Sequence, residues 1–381
     1  MIPNLWTECL RPNAATMNAL DHFADLVDPR IDRTKRYPLS SLVFLTISAV
    51  VSGCDDFAEI DFFAELHLRW FQSHGHFLDG QTPSHDTLGR LFQRLDPEAF
   101  NACFARWVAQ VCKISEGGLV AIDGKRVRGS YDRFEGQEAI HLISAWSSEH
   151  QVVLGQLAVA HKSSEVTAIP AFLRTIDLKG AVVSIDAAGC HLDTAALVRQ
   201  GKAHYLLGLK ANQPTLMHAV EMAFVNHRPA SSHVDLDKGH GRIEQRTCDV
   251  LPATVLQEGT ATWPDLYSLV RVVAQREELL AATPTEEVRF YISSLKGDAR
   301  RFNTLVREHW GIENRMHWTL DVTFREDASR LRKGHAHRNM ATIRRTALNI
   351  CKLDDSPKLI IKRKRMAAAA SDEFRDRLLR L

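Results

Sequence analysis

Leu119-Val120-Ala121-Ile122-Asp123-Gly124-Lys125 is the stretch on which the fold turns. An unbroken apolar run that stops at turn-forming residues reads as a short strand buried on both faces. Its aspartate then projects from the strand's C-terminal end, where open α/β sheets bind ligands. The pattern returns in Ala181-Val182-Val183-Ser184-Ile185-Asp186-Ala187. A third acid, Glu313, lies in His309-Trp310-Gly311-Ile312-Glu313-Asn314, inside a stretch from Arg301 to Leu320 that reads as one helix. Either aspartate alone is accounted for as the cap of a strand end. Two on neighbouring strands, joined by an acid from a helix, repel unless a cation lies among them. Asp123, Asp186 and Glu313 are therefore the candidate catalytic and metal-binding residues, a set suited to Mg²⁺ and to phosphoryl transfer.

Working outward, Gly117-Gly118 marks a boundary. Residues 1–115 read as helical. Leu39–Val51 and Phe57–Phe71 carry dense apolar periodicity, Ser84 is a candidate N-cap, and Asp96-Pro97-Glu98 is a strong helix start. The helices on either side of Leu95-Asp96 fit a helix-turn-helix or an ordinary packed pair. Beyond the boundary, strands are expected at Leu119–Asp123, Ala139–Trp146, Gln151–Ala160, Ala181–Asp186 and His204–Leu209. Helices are expected at Glu165–Ile176, with Pro170 as a weak point, and at Thr194–Gln200. A hairpin feeding a βαβ unit in this β-β-β-α-β-α-β order is the ribonuclease H-like order. From Pro214 to Glu287 the periodicity breaks, around the Gly-rich Lys238–Arg246 segment, with extended stretches near Val250, Leu266–Val273 and Val288–Ser293. The expected architecture is an α/β ribonuclease H-like catalytic core (116–213 and 288–350). A β-rich insertion (214–287) interrupts it, an all-α N-terminal domain (1–115) precedes it, and a basic C-terminal tail (351–381) follows.

The chain has 381 residues, 45% of them hydrophobic and 25% charged, as in a soluble globular protein with a sizeable core. The net charge of +2 hides an uneven distribution. Arg325 to Arg365 holds 13 Lys and Arg against 4 Asp and Glu. Such a block suits an anionic polymer, or else forms a solvated helical face. Seven scattered cysteines without a C-x-x-C pair argue against a disulfide framework and fit a reducing cytoplasm. No signal-peptide pattern opens the chain, and the longest apolar stretch, Leu39–Cys54, falls short of the ~20 residues of a membrane span. P-loop, dinucleotide-binding and nucleophile-elbow motifs are missing, which excludes those chemistries.

Polar residues gather where loops leave the strand ends. Lys125, Arg126 and Arg128 follow Asp123, Lys162 follows the third strand, and Lys210, Asn212 and Gln213 follow the fifth. All are candidate contacts to DNA phosphates, sugars or bases, and all read equally as solvated loop groups. His309 and His317 stand four residues either side of Glu313. That stripe fits a zinc site, histidines beside DNA, or packed helix residues.

These residues together resemble the H-repeat-associated, ISAs-type family of DDE insertion-sequence transposases. Three motifs carry the resemblance: Ala121–Lys125, Ser184–Cys190, and His309–Asn314 running on to His317-Trp318-Thr319-Leu320-Asp321-Val322. Lys162–Glu165, Leu209–Gln213 and Gly239–Glu244 add to it, and Arg36–Leu39 with Pro83–Leu88 extend it over nearly the whole chain. The resemblance implies a Mg²⁺-dependent enzyme, with Mn²⁺ able to substitute, and Asp123, Asp186 and Glu313 as the metal-binding triad. It further implies cleavage of element ends and transfer of the freed 3′-hydroxyl to target double-stranded DNA, by a homodimer assembled on DNA in the bacterial cytoplasm. His309, Trp310 and Asn314 join the candidate DNA contacts. Trp310 is either a platform for a displaced base or a packed side chain. Broader cut-and-paste relatives carry Tyr-x₂-Arg-x₃-Glu-x₆-Lys around the last acid. Here Val306, His309 and Leu320 take those three places, so the relatives' end-binding contacts do not carry over.

Overall fold

The computed structural model describes residues 19–131, 139–159, 165–239, 242–257, 262–278, 284–355 and 359–380. The N-terminal part is helical: α1 (Leu39–Val51), α2 (Phe57–Leu66), α3 (Leu68–Ser73), α4 (His85–Arg94) and α5 (Pro97–Val111). Caps set the boundaries. Asp56 accepts from the Glu59 N–H at 2.9 Å, and Asp96 accepts from those of Glu98 and Ala99, with Pro97 in the first turn. The Phe57–Phe71 stretch breaks in two at His67. In α1, every residue from Ser41 to Val51 is buried, as a helix apolar on all sides must be.

The core strands are β1 (Leu119–Arg126), β2 (His141–Ser147), β3 (Val152–Val159), β4 (Val182–Ile185) and β5 (His204–Leu209). The first two cross-connections are α6 (Glu165–Leu173) and α7 (Leu192–Gln200). Pro170 sits inside α6 without ending it. Next come α8 (Pro214–Asn226), β6 (Ser231–Gly239), β7 (Arg242–Pro252), β8 (Ser268–Glu278) and β9 (Thr285–Ser293). All nine strands form one sheet in the order β3-β2-β1-β4-β5-β9-β8-β7-β6. The pairs β1–β4 and β4–β5 are parallel and all others antiparallel. This is a ribonuclease H-like core preceded by an all-helical region. Strands β6–β9 prolong the core sheet through the antiparallel β5–β9 pair, so the residues expected as an insertion extend the same ladder.

Two expectations differ in detail. Pro214 opens a helix, its missing N–H being one of the groups a first turn leaves unbonded. The Arg301–Leu320 stretch is helical as expected but not a regular α-helix. It divides into α9 (Ala299–His309), a π-helical segment (Ile312–His317) and α10 (Trp318–Val322).

The chain closes with α11 (Ala336–Leu353), α12 (Ile361–Ala370) and α13 (Asp372–Leu379). Helix α11 is the shared pillar, packed on α1, α4, α5 and β3. Its Asn339 amide donates to the Phe92 and Leu95 carbonyls, so the α4–α5 corner is docked in the core as an ordinary packed pair. Its Asn349 exchanges two 2.8 Å hydrogen bonds with the Val153 backbone, beside the register shift between β2 and β3. On the opposite sheet face, α9 covers Leu119, Val182, Leu206, Val250 and Val270. Among the described residues, no helix is long and apolar enough to cross a membrane.

Four of the thirteen cations in the basic block are internal, while Arg325, Arg330, Lys333, Lys362 and Arg363 are exposed, so both readings offered above hold for only part of it. Arg344, Arg345, Lys364 and Arg365 are each at most 5% exposed. Lys364 donates to the carbonyls of Cys351 and Asp354 at the end of α11. Arg365 donates to Val50 and Cys54 carbonyls at the end of α1, and to the Asp55 carboxylate at 2.8 Å. Cations at helix C-termini satisfy the last carbonyls and oppose the helix dipole. The block therefore ties the last helices to the first. Arg365→Ala should cost about 2 kcal/mol, since it leaves a half-buried acid and the Val50, Cys54 and Thr323 carbonyls without their donor. A lowered urea midpoint, with DNA affinity unchanged below that midpoint, is the expected result.

Candidate metal centre

Register places the first two acids. Ile122 pairs with Ile185 across the parallel β1–β4 ladder, so Asp123 and Asp186 follow side by side. Beyond that point the strands part. β1 runs on to Arg126 against β2 alone, three residues past the expected end, while β4 stops. Asp186 turns outward to solvent and accepts the Ala188 N–H at 3.0 Å, which starts a tight turn. Asn212 and Gln213, expected as DNA contacts, brace that turn by donating to the Ala187 and Cys190 carbonyls at 2.7 and 3.0 Å. Gly208 on β5 lies beneath it. A Cβ there would come within 3.2 Å of the Ala187 nitrogen, so any larger residue would push the turn outward by a few tenths of an ångström.

The third acid arrives on the π-helical segment. Ile312 and Met316 are fully buried and anchor it, which turns Glu313 and His317 toward β1. The His317 Nδ1 lies 3.5 Å from Asp123 Oδ2 and 3.6 Å from Glu313 Oε2. Among the described residues, one donor atom each of Asp123, Glu313 and His317 lie within 4.8 Å of one another. The His309–Glu313–His317 stripe is thereby split. His309 turns away to Ser184 Oγ at 2.8 Å, and burial drops its imidazole to about 4, which keeps it neutral.

Charge in this cluster is lopsided. Burial, and after it the charge of Glu313, push the Asp123 carboxyl up to about 8. The His317 imidazole beside it pulls Glu313 down to about 2. Asp123 Oδ2 is buried without a hydrogen-bond partner. An orphaned carboxylate oxygen facing a second carboxylate and an imidazole fits a divalent cation, in donor type and in charge.

Lys125 lies elsewhere than expected. It is 9% exposed and points to Asp321 on α10, to Glu326 at 3.3 Å and to Asp327 at 3.7 Å. Glu326 is fully buried and also holds Arg345 of α11 at 2.7 Å. Burial works against ionising Glu326, yet Arg345, Lys125 and Arg344 outweigh it and hold the carboxyl at about 2. This ionic chain joins the strand bearing Asp123 to the helix following Glu313. Neither Lys125 nor Glu326 carries a sequence signal for it, because the partners lie some 200 positions apart.

Two depressions flank the π-helical segment. A cleft of about 640 Å³ holds Glu313 and His317 on one wall, and Arg126, Arg128 and Tyr131 on another. A groove of about 1070 Å³ on the other side holds Trp310, Asn314 and Arg315 against the Arg246, Arg276 and Arg289 side chains of the extended sheet. Trp310 lies under the Arg289 guanidinium at 4.3 Å. Lys210 is exposed after β5, and Lys162 lies outside the described residues.

Residues 114–350 match the family described as the Transposase DDE domain, and residues 20–108 match its associated N-terminal region. The chain is 36% identical to the H repeat-associated protein YhhI of Escherichia coli K12, over 93% of this chain and 96% of that one. The chain belongs to the H-repeat-associated family of DDE transposases. A second relative in this family is YncI of Escherichia coli O157:H7, 37% identical over 94% of both chains; the names of both relatives include the word transposase. A piggyBac transposase synaptic complex with hairpin DNA overlays with a TM-score of 0.45 at 12% identity, covering 95% of this chain and 77% of that one. That likeness is too loose to carry an argument.

The raised Asp123 and lowered Glu313 predict opposed pH effects on the chelator-treated protein. Asp123 ionises more readily unfolded than folded, so its contribution to stability falls as pH rises from about 4 to 8. Glu313 contributes above its unfolded value and loses that contribution as pH falls toward 2. Asp123→Asn should therefore raise the melting temperature at pH 8 and leave it nearly unchanged at pH 4. Equal shifts at the two pH values in thermal melts would contradict the assignment.

Proposed function

We propose that this transposase-family chain cuts the ends of an insertion element and joins the freed 3′-hydroxyl to target DNA, using Asp123, Asp186 and Glu313 as ligands for Mg²⁺, or for Mn²⁺ in its place. The supporting observation is the meeting of Asp123, on the core strand β1, with Glu313 on the π-helical segment; Asp186 stands at the next register position after β4 and faces solvent. Divalent ions held by such carboxylates polarise a phosphodiester and make water or a hydroxyl a better nucleophile.

The remaining work falls to the protein. Asp123 is held at fixed depth by β1, whose Lys125 is locked to α10 and the Glu326 turn. Asn212, Gln213 and Gly208 hold the Asp186 turn. Arg126 and the 86% exposed Arg128 stand at the cleft wall, where cations contact a DNA backbone. Water attacks the phosphodiester at the element's edge, leaving a 3′-hydroxyl and a 5′-phosphate. The 3′-hydroxyl then attacks a target phosphodiester and displaces a second 3′-hydroxyl. No covalent enzyme intermediate is required, since positioning and charge neutralisation lower the barrier. Two ends joined to one target call for two copies of the chain on double-stranded DNA.

The test uses a DNA fragment carrying the inverted repeats that flank the coding region, with a labelled target plasmid. Wild-type protein with Mg²⁺ should cut and join. Asp123→Ala, Asp186→Ala and Glu313→Ala should each lower cutting about a thousandfold or more. Cutting without joining would reduce the enzyme to a nuclease, and cutting that survives all three changes would refute the triad. Asn212→Ala should reduce the rate while leaving DNA affinity within about twofold, because it loosens the Asp186 turn and no ligand contact.

A further inference from the structure

We infer that His317 supplies a nitrogen ligand to the Asp123–Glu313 metal centre, which strengthens its hold on a first-row transition ion such as Mn²⁺ more than its hold on Mg²⁺. The inference rests on the reading of Asp123 and Glu313 as metal ligands. It adds a fourth residue and a choice of metal.

Local backbone is the first argument. Residues 312–317 form a π-helical turn, one residue wider than an α-turn, and such turns recur at functional sites. Residues four apart lie on one helix face, so Glu313 and His317 point the same way from this segment. Here both meet Asp123.

Distance is the second. His317 Nδ1 stands 3.5 Å from one carboxylate and 3.6 Å from the other. A charge-assisted hydrogen bond draws its partners to about 2.8 Å. Donors about 2.1 Å from a shared small divalent ion lie about 3.0–3.5 Å from one another. The imidazole is nearly equidistant from both acids, at a spacing close to that of co-ligands of one small ion.

Rigidity is the third. His317 is only 5% exposed, between the anchored Met316 and the first turn of α10. It faces the buried Asp123 oxygen that has no hydrogen-bond partner. Nothing comparable recommends His309, which is committed to Ser184.

Donor chemistry then sets the metal. Mg²⁺ favours oxygen ligands and water, whereas imidazole favours the transition ions. One nitrogen among carboxylates tilts the site toward the latter without excluding Mg²⁺.

Mn²⁺ is the probe, added to the full-length protein and followed by electron paramagnetic resonance. Loss of the free-ion signal measures affinity, and electron spin-echo modulation detects directly bound nitrogen. The expected result is nitrogen modulation from bound Mn²⁺ that disappears in His317→Gln, with Mn²⁺ affinity falling about tenfold and Mg²⁺ affinity by less than about threefold. Should His317→Gln fail to fold, wild-type protein carrying ¹⁵N-histidine tests the same point, because the modulation frequency must change with the isotope. Bound Mn²⁺ that depends on Asp123 but shows no histidine nitrogen overturns this inference and leaves the proposed function standing. Mn²⁺ binding that ignores Asp123→Asn removes the metal centre itself, and this inference with it.

Discussion

Repulsion between carboxylates is the constraint around which this molecule is arranged. Asp123 and Asp186 are adjacent by register, and Glu313 lies against Asp123. Each would be more stable ionised in water, and burial raises Asp123 well out of the usual carboxylate range. A fold relaxes such a cluster unless something holds it. Here the holding elements are specific: the fully buried Ile312 and Met316 under the π-helical segment, and Asn212, Gln213 and Gly208 around the Asp186 turn. Strain kept at one place is offset by packing elsewhere, the pattern expected where an active site costs stability.

The same logic runs through the buried charges behind the site. Glu326 is surrounded by Lys125 and Arg345, so three ionised groups share a space closed to solvent. A buried ion pair adds little net stability over a well-packed apolar replacement, but losing one member is costly. Such a chain therefore acts better as a register pin than as glue. It sets the depth of β1 relative to α10, and through α11 it links that choice to the helical region. Lys364 and Arg365 pin the last helices by their bonds to helix-terminal carbonyls. Part of a block that reads as a surface for DNA, namely Arg344, Arg345, Lys364 and Arg365, is the molecule's internal fastening.

How legible each element was depends on where its information resides. Strands β1, β4 and β5 announce themselves because a strand buried on both faces must be an unbroken apolar run. Strand β6 does not. Its half-exposed Asp235 and Asp237 pair with Arg307 on α9, while Val234 and Leu236 lie exposed on the other face, so no apolar alternation marks it. The π-helical segment was equally hidden, since His-x₃-Glu-x₃-His fits an α-helix as well. Only the packing of Ile312 and Met316 widens the turn. Lys125 and Asn212 looked like loop groups near DNA because nothing local marks their partners.

By itself the sequence determined the order of the core strands, the strand-end position of two aspartates and the family to which the chain belongs. Those properties are written in contiguous runs of residue types. Tertiary structure alone decided that the extended sheet is continuous with the core, that four cations of the basic block are buried, and that His317 rather than His309 faces Asp123. Each of these depends on contacts between residues tens to hundreds of positions apart, and short-range pattern carries no record of such contacts.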